Sequence, residues 1–374
     1  MTVLDTTKLS SDDIVRLIKG ECIQNGTKQD LPTIIDVVEY LALLENENLL
    51  TNVNREGILA RTFDEGKYIV VSEKIGTNVP KLFPTSLSTF TFMRGQNNYY
   101  PQCNPILYRK QLSSDEVLIK RIQTAEFFCL LTTHPVFKEL QQNYEVEYLA
   151  IAQHYGFDTE YLDITNNKWV AAFFASCKYD QETSTYTPID ETYGNGIGVL
   201  YVSNENIPMP FFDKMHVVGF QFFQRPTKQY SMVYHMDPNE NFDQNPNFKR
   251  IVFRHDAVAS KQVYDVSYRQ QRFFPNDILA QKANIIRNSH YEFSKFAFKV
   301  CREFGWTILS DEEIKDRLNM HGYKYHDNDD LLVRFSEEEL KHDWEEWINY
   351  GREHLKSLIL PMIPICKLDD YIKQ

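Results

Sequence analysis

The chain has 374 residues, of which 43% are hydrophobic and 14% aromatic, so it can bury a sizeable core and is too apolar to be disordered. Its formal net charge of -12 disfavours nonspecific binding to the phosphate backbone of nucleic acids, because such binding needs an excess of Lys and Arg. The absence of a signal-peptide pattern, a membrane-length apolar run and a CxxC pair among the six cysteines predicts a soluble cytoplasmic protein with reduced thiols.

The predicted elements begin with a short helix and a polar linker within residues 1–32. Residues 33–44 then show apolar side chains at helical spacing, and Thr33 and Asp36 are placed for an N-terminal capping box. Further helices are predicted over residues 114–132, 136–152 and 166–178. Strands are predicted over residues 67–71, 88–92, 198–202, 216–224, 230–235 and 250–255. This order predicts an α+β fold with a mostly antiparallel central sheet and flanking helices.

The C-terminal part of the chain has a helical and acidic pattern. Ser310 and Ser336 are each followed three residues later by a Glu, which predicts two helices that open with capping boxes. We interpret this part as a helical extension, either a small second domain or a support for the first. The predicted units are residues 1–32 (N-terminal helix and linker), 33–290 (α+β domain) and 291–374 (helical extension).

The densest group of polar side chains lies between residues 153 and 165. His154 can donate, accept or shuttle a proton near neutral pH, although a lone His at a helix end is also a common cap or core residue. Asp163 could bind a ligand or clamp the turn through backbone N–H groups. Thr165 is predicted to cap the following helix, whose N-terminus would present free N–H groups to an anion. The segment predicts either a ligand-facing turn or a buried polar network.

A second candidate group is Arg94-Gly95-Gln96, at the end of a predicted strand. Arg94 offers a planar, permanently charged group suited to phosphate or carboxylate, or it pairs with one of the 52 acidic side chains. Gly95 allows a ligand or another backbone to approach closely. Farther along, Gln229 is uncharged, so it could orient a ligand hydroxyl but could not act as a general base.

No metal site is expected from the sequence. Residues 327–330 begin like a calcium-binding loop, but Leu331 and Leu332 stand where a ligand and a Gly are needed. His321 and His326 have no companion acid at metal-binding spacing. Phosphate-binding Gly-rich motifs and a GxSxG nucleophile motif are also absent from the sequence.

These segments together resemble the FRG domain, a family named for an aromatic-Arg-Gly motif. The similar segments are Phe92–Gln96, Ala152–Thr165, Ala171–Ala175, Arg225–Gln229 and Phe273–Asp277, within about residues 33–290. The chain departs from the family pattern in having Met93 for the aromatic residue, Asp158 for Pro, Glu160 for Arg and Ile164 for Trp. The change to Glu160 places an anion near Asp163, and we expect it to weaken any phosphate site that depends on the family's Arg.

The resemblance implies a layout similar to that of ADP-ribosyltransferases, and so a nucleotide of NAD type as the candidate substrate. In that scheme Arg94, Gly95 and Gln96 would hold the pyrophosphate or a ribose, with Arg225 as a further binding residue. Tyr155 would stack on nicotinamide, and Thr165 would bind a ribose or the amide. Catalysis would involve Arg94, His154, Asp163 and Gln229. Gln229 stands where a transferase has the Glu that stabilises an oxocarbenium-like transition state.

Three hypotheses follow from the resemblance and the residues. The first is an ADP-ribosyltransferase-like enzyme or NAD glycohydrolase, in the context of a toxin or of phage defence. The second is a non-catalytic sensor of a nucleotide or a nucleic-acid end that signals through residues 291–374, which could also contact a protein partner. The third is a structural protein in which the polar turn is a buried network. No membrane partner is expected.

Overall fold

The computed structural model describes most of the chain. The described residues are 6–24, 26–43, 68–71, 81–84, 91–109, 112–143, 146–180, 183, 185–203, 214–218, 222–275, 277–288, 290–328 and 330–353. Within them the fold is α+β, with a six-stranded antiparallel sheet and flanking helices, which confirms the predicted fold class. None of the described helices is both long and apolar enough to cross a membrane.

The strands are numbered β1 to β12 in chain order. They are β1 Tyr68–Val71, β2 Lys81–Pro84, β3 Met93–Gln96, β4 Tyr161–Thr165, β5 Cys177–Asp180, β6 Thr185–Pro188, β7 Ile197–Ser203, β8 Met215–Val217, β9 Ser231–His235, β10 Phe248–Arg254, β11 Glu292–Ser294 and β12 Lys324–His326. The central sheet has the order β10-β7-β3-β4-β9-β8, and β1-β2, β5-β6 and β11-β12 form separate pairs. Side chains alternate between its faces, so Leu200 and Val202 of β7 join one core while Val199 and Tyr201 join another.

The helices surround this sheet and form a further core beside it. They are Ser11–Ile18, residues 34–43, Ile106–Arg109, Ser114–Thr133, Pro135–Asn143, Tyr148–His154, Lys168–Ser176, Gln224–Lys228, Ala257–Val266, Ile278–Arg287, Lys295–Glu303, Asp311–Met320 and Glu337–Glu346, followed by a π-helical turn Trp347–Gly351. The capping boxes predicted at Ser310 and Ser336 are present. Thr33 also makes the predicted contact, since its backbone N–H and its hydroxyl both donate to Asp36, each at 2.7 Å.

Several boundaries differ from the prediction. The helix predicted over 136–152 is two helices, and that predicted over 166–178 ends at Ser176, because β5 begins at Cys177. The segment around Arg225 forms the short helix Gln224–Lys228, which includes the last residue of the strand predicted over 216–224. The start of that predicted strand lies in β8, and its residues 219–221 lie outside the described residues. Residues 88–90 of a predicted strand and Leu44 lie outside the described residues.

The strands β3 and β4 separate from each other in the middle of the sheet. Their register pairs Met93 with Thr165, at the start of β3 and the end of β4, and does not continue along the strands. Arg94 spans the gap, since its Nη1 donates to the backbone oxygen of Asp163 at 2.8 Å. A side chain therefore satisfies a carbonyl group that a continued ladder would have used. The separation opens a cleft in the centre of the domain.

The helix Lys168–Ser176 packs closely against β3. A Cβ atom at Gly95 would lie 1.9 Å from the backbone oxygen of Ala171 and 3.0 Å from the Cβ of Ala175. The small residues therefore permit the close approach of helix and strand. Of the two predicted roles of Gly95, approach of another backbone is the one that this packing requires.

The C-terminal part shares a core with the preceding domain. Phe293, Phe298 and Leu318 pack in one cluster with residues of the helix Ser114–Thr133. This part also contains the parallel pair β11-β12, so it is not purely helical as predicted. The unit boundaries at 32/33 and 290/291 stay a prediction.

Candidate functional site

The cleft between β3 and β4 consists of two adjoining cavities of about 220 Å³ and 410 Å³. Both are lined by the same five residues, Arg94, Asn97, Arg109, Asp163 and Phe174. The smaller cavity is also lined by Met93, Gly95, Gln96, Tyr100, His154, Ile164, Thr165, Val170, Ala171, Gln229 and Ser231. The larger cavity is also lined by Ile106, Gln153, Tyr161, Leu162, Cys177, Tyr179 and Tyr186. Most of the residues predicted for the site are thus brought to one place.

Arg94 enters the cleft from β3 and has donor capacity to spare. Beyond the bond from its Nη1 to the backbone of Asp163, no ion pair joins its guanidinium to a carboxylate of the described residues. Its Nε is buried and has no hydrogen-bond partner within that part of the chain. The guanidinium is therefore positioned by a backbone carbonyl group and its charge is not neutralised by a described side chain.

Arg109 is a second guanidinium in the cleft, and sequence reasoning did not select it. It lies at the end of the short helix Ile106–Arg109, where its Nε donates to the backbone oxygen of Asn104 at 2.6 Å. The pKa of Arg109 is lowered, first by desolvation and then by the positive charge of Arg94. Two cations thus repel each other across the cleft, where the charge of Asp163 offsets part of the effect on Arg109, and an anionic ligand between them would reduce that repulsion further. In the sequence, Lys110 directly follows Arg109, and two consecutive basic residues are a weak signal for a cationic site.

Asp163 is the carboxylate of the cleft, in the middle of β4. Its side chain is 41% exposed, although the flanking residues Leu162 and Ile164 are buried. One carboxylate oxygen, Oδ2, accepts a hydrogen bond from Gln153 Nε2 at 3.1 Å. The other, Oδ1, lies 3.4 Å from His154 Nε2, and both of these buried atoms lack a hydrogen-bond partner among the described residues. Asp163 can therefore present a charged, oriented acceptor to a ligand.

His154 lies behind Asp163 at the end of the helix Tyr148–His154. Its side chain is 5% exposed, and its Nδ1 lies 3.3 Å from the hydroxyl oxygen of Ser231. Burial lowers the pKa of His154, opposed by the charge of Asp163 and by hydrogen bonds with Gln229 and the backbone of Met232. The imidazole is consequently neutral at pH 7 and contacts Asp163 rather than the solvent.

Three further predicted residues form the buried wall of the cleft. The hydroxyl of Thr165 donates to the backbone oxygen of Gln229 at 2.9 Å and accepts from the backbone N–H of Asn167 at 3.1 Å. Asn167, whose Oδ1 accepts from the backbone N–H of Trp169, is the actual cap of the helix, so the cap predicted at Thr165 is wrong. Gln229 is buried and donates its amide to the backbone oxygen of Phe273 at 3.1 Å. Gln96 is also buried.

Tyr155 and Arg225 lie outside the cleft, in contact with each other. Tyr155 is 1% exposed, and its hydroxyl donates to Asp277 Oδ2 at 2.6 Å. The guanidinium of Arg225 lies 5.5 Å from the ring centroids of both Tyr155 and Phe274. This packing leaves no free face of Tyr155 for stacking on a ligand, so the predicted stacking role does not fit its position.

Glu160, the acidic departure from the family pattern, is paired away from the cleft. Its Oε2 accepts from Arg121 Nη1 at 2.7 Å, and the Arg121 guanidinium lies 4.7 Å from the ring centroid of Trp306. Asp158 is paired in a similar way with Lys120 at 3.1 Å. Both cations come from the helix Ser114–Thr133. Glu160 is not among the residues lining the cleft and its charge is compensated, which removes the reason to expect a weakened anion site.

The fold and the cleft define a class: an α+β domain whose Arg-Gly strand and His-Tyr-Gly turn enclose one polar site. Residues 89–184 match the family model described as FRG domain. The chain therefore contains an FRG domain, and the predicted family is confirmed for the part that holds β3, β4 and the helix Lys168–Ser176. Neither the search of curated proteins nor that of solved structures found a significant match.

Proposed function

We propose that the cleft of this FRG domain binds an anionic nucleotide of NAD type. The supporting observation is that two guanidinium groups without described carboxylate partners, Arg94 and Arg109, share one cavity with the aromatic rings of Phe174, Tyr179 and Tyr186. Guanidinium groups suit phosphates, and aromatic faces suit the stacking of a base. The larger cavity, about 410 Å³, lies in the size range of small-molecule sites.

We infer further that the domain acts on this nucleotide as an ADP-ribosyltransferase-like enzyme or NAD glycohydrolase, with Asp163 as the catalytic carboxylate. In such a reaction the bond from ribose C1′ to the nicotinamide nitrogen breaks, and nicotinamide leaves with the bonding electron pair. An acceptor, which is water in the hydrolytic case, bonds to C1′ and loses its proton to Asp163. The negative charge of Asp163 also favours the positive charge that develops at C1′.

Gln229 does not suit this role. Its amide is uncharged and donates to the backbone of Phe273, so it supplies neither a base nor a negative charge. Asp163 is the partly exposed carboxylate among the described residues that line the cleft. In this proposal, Asp163 of β4 therefore supplies the negative charge that a transferase has on the Glu at the position of Gln229.

The experiment that tests the binding step is calorimetric titration of NAD⁺ into the full chain. Wild type should bind, and Arg94→Ala and Arg109→Ala should each lose at least about tenfold in affinity, since each removes charge-assisted hydrogen bonds to phosphate. Arg334→Ala, a change of the same type in an exposed ion pair with Asp330, is the matched control and should bind like wild type. Equal affinity in all four proteins would refute a ligand between Arg94 and Arg109.

Release of nicotinamide from bound NAD⁺ separates the enzyme from a second candidate, a non-catalytic nucleotide sensor. The uncharged Gln229 at the position of the transferase Glu is the observation that favours a sensor. The core shared by the helix Ser114–Thr133 and residues such as Phe298 would connect a ligand-dependent change to the C-terminal part. Release that Asp163→Asn abolishes supports the enzyme, whereas tight binding without release by wild type supports the sensor.

A further inference from the structure

Asp163 stands in the middle of a row of five polar side chains, three of which are buried. The Thr159 hydroxyl donates to Gln153 Oε1 at 2.6 Å, and Gln153 Nε2 donates to Asp163 Oδ2 at 3.1 Å. On the other side, Asp163 Oδ1 lies 3.4 Å from His154 Nε2, and His154 Nδ1 lies 3.3 Å from the Ser231 oxygen. The row connects a turn, the end of a helix and the strands β4 and β9 through side chains alone.

The direction of each hydrogen bond in this row follows from its neighbours. The backbone N–H of Tyr161 donates to the Thr159 oxygen at 3.2 Å, so the hydroxyl proton of Thr159 is free to point at Gln153. The carbonyl oxygen of Gln153 receives that proton, and its NH₂ group must therefore face Asp163. An ionised carboxylate only accepts, so the proton of a neutral His154 belongs on Nε2. Nδ1 is then an acceptor for the Ser231 hydroxyl.

The two ends of this row are buried, whereas Gln153 and Asp163 are partly exposed. Thr159 is 0% exposed and Ser231 1% exposed, while the Asp163 side chain is 41% exposed. Gln153, His154 and Ser231 also line the cleft, so a ligand there would contact Asp163 among these neighbours, and Thr159 would act only through Gln153. Gln153 Nε2 donates to Oδ2, and His154 Nε2 faces the buried Oδ1, which has no hydrogen-bond partner among the described residues. Each carboxylate oxygen thus has a side-chain nitrogen beside it, which restricts the rotation of the group.

We propose that Thr159, Gln153, His154 and Ser231 are positioning residues that hold Asp163 as an oriented acceptor, with His154 as the neutral tautomer protonated on Nε2. The catalytic importance of this arrangement rests on the proposed function, in which Asp163 receives the proton of the acceptor. The arrangement itself is a property of the folded chain. Thr159, Gln153 and Ser231 were not selected from the sequence, because nothing in their spacing shows that they meet at one side chain.

The first arm of the test observes the His154 tautomer directly, without a ligand. The full chain is labelled with ¹⁵N-histidine, imidazole nitrogen–proton correlations are recorded at pH 7, and His154→Gln identifies the signals of His154 among the ten histidines. We expect a proton on Nε2 and an acceptor signal from Nδ1 that shifts in Ser231→Ala. The matched control is Ser260→Ala, another buried serine whose Oγ has no partner among the described residues and which should leave the signals unchanged. A proton on Nδ1, directed at the backbone of Met232, would overturn the proposal.

The second arm measures nicotinamide release by the same proteins. Ser231→Ala and Thr159→Val should lower kcat roughly tenfold or more with little change in KM, since positioning partners of a reactive group typically contribute on that scale. Equal losses in Ser260→Ala would show a general effect on folding and contradict a positioning role. If wild type neither binds NAD⁺ nor releases nicotinamide, the proposed function fails, while the tautomer still decides the arrangement of the row.

Discussion

The carboxylates of Asp163 and Glu126 resemble each other in chemistry and differ in position. Both accept hydrogen bonds from neutral donors, and neither lies in a described ion pair with Lys or Arg. Glu126 is 1% exposed and receives three bonds, from the Tyr291 hydroxyl at 2.8 Å and from the backbone N–H and hydroxyl of Ser294 at 3.1 and 2.8 Å. Asp163 receives bonds from one side only and faces a cleft that contains two cations.

This difference separates a structural carboxylate from a candidate catalytic one. The acceptor capacity of Glu126 is used by the groups that join the helix Ser114–Thr133 to β11, so its burial serves the core. Asp163 keeps free acceptor capacity where a ligand can reach it. Residue type and the number of hydrogen bonds do not distinguish the two roles, whereas exposure and unused capacity do.

The largest effect should come from removing the buried carboxylate. Glu126→Ala leaves three donors without their acceptor in the core, and we expect the free energy of unfolding to fall by about 3 kcal/mol or more. Asp163→Ala should cost about 1 kcal/mol or less, because solvent can reach the donors that it leaves. Denaturation by urea, followed by tryptophan fluorescence, measures both. Equal losses in the two variants would mean that both carboxylates are structural.

For activity, we expect a change at Asp163 to have a larger effect than a change at Glu126. Asp163→Asn keeps the shape of the side chain but removes its charge, and nicotinamide release should fall about 100-fold or more, as for other groups that transfer a proton or stabilise charge. Glu126→Gln, the matched exchange in the core, should retain activity in the fraction that folds. If wild type releases nicotinamide from NAD⁺ and Asp163→Asn is equally active, Asp163 is not the catalytic carboxylate.

Gly95 sharpens the comparison, since it belongs to the family motif yet has a structural role. Gly95→Ala would place a Cβ 1.9 Å from the Ala171 oxygen, so the helix Lys168–Ser176 has to move. We expect a loss of about 2 kcal/mol in unfolding free energy from this overpacking. Gly322→Ala is the control, because its Cβ would meet nothing within 4 Å and only the left-handed φ of 75° opposes the change. A smaller loss in Gly95→Ala than in Gly322→Ala would contradict the packing argument.

The sequence predicts the framework better than the composition of the site. Short apolar runs and Ser-x-x-Glu boxes depend on local geometry, and the strand Ile197–Ser203 and the caps at Ser310 and Ser336 agree with them. The resemblance to the FRG family brought Arg94 and Asp163 together before any coordinates did. Reasoning from local sequence patterns fails where the direction of a side chain depends on contacts between distant parts of the chain.

Two residues show why it fails. Arg109 reaches the cleft because a short helix outside the family motifs turns it towards β3, a tertiary contact that no local pattern encodes. Tyr155 lies between two cleft residues in the polar segment, yet its hydroxyl is used by Asp277 in the core. Both errors concern the direction of one side chain, which depends on distant elements.

The smallest expected effect is a pair of opposite pH dependences. Burial raises the pKa of Glu126 above its ordinary value, so the folded chain holds that proton more tightly than the unfolded chain. The contribution of Glu126 to stability is then complete below the ordinary Glu pKa and declines as the pH rises through the folded pKa. Burial lowers the pKa of His154, so its contribution declines as the pH falls below the ordinary His value, where the unfolded chain takes up a proton that the folded chain excludes.

Unfolding free energies of wild type, Glu126→Gln and His154→Gln, measured between pH 4 and 9, separate the two effects. Relative to wild type, Glu126→Gln should gain stability with rising pH and His154→Gln with falling pH. His255 is a second buried histidine whose pKa is lowered by burial, so His255→Gln controls for histidine burial outside the row. The difference in unfolding free energy from wild type should change with pH in opposite directions for Glu126→Gln and His154→Gln. Changes in the same direction would contradict a raised pKa of Glu126 together with a lowered pKa of His154.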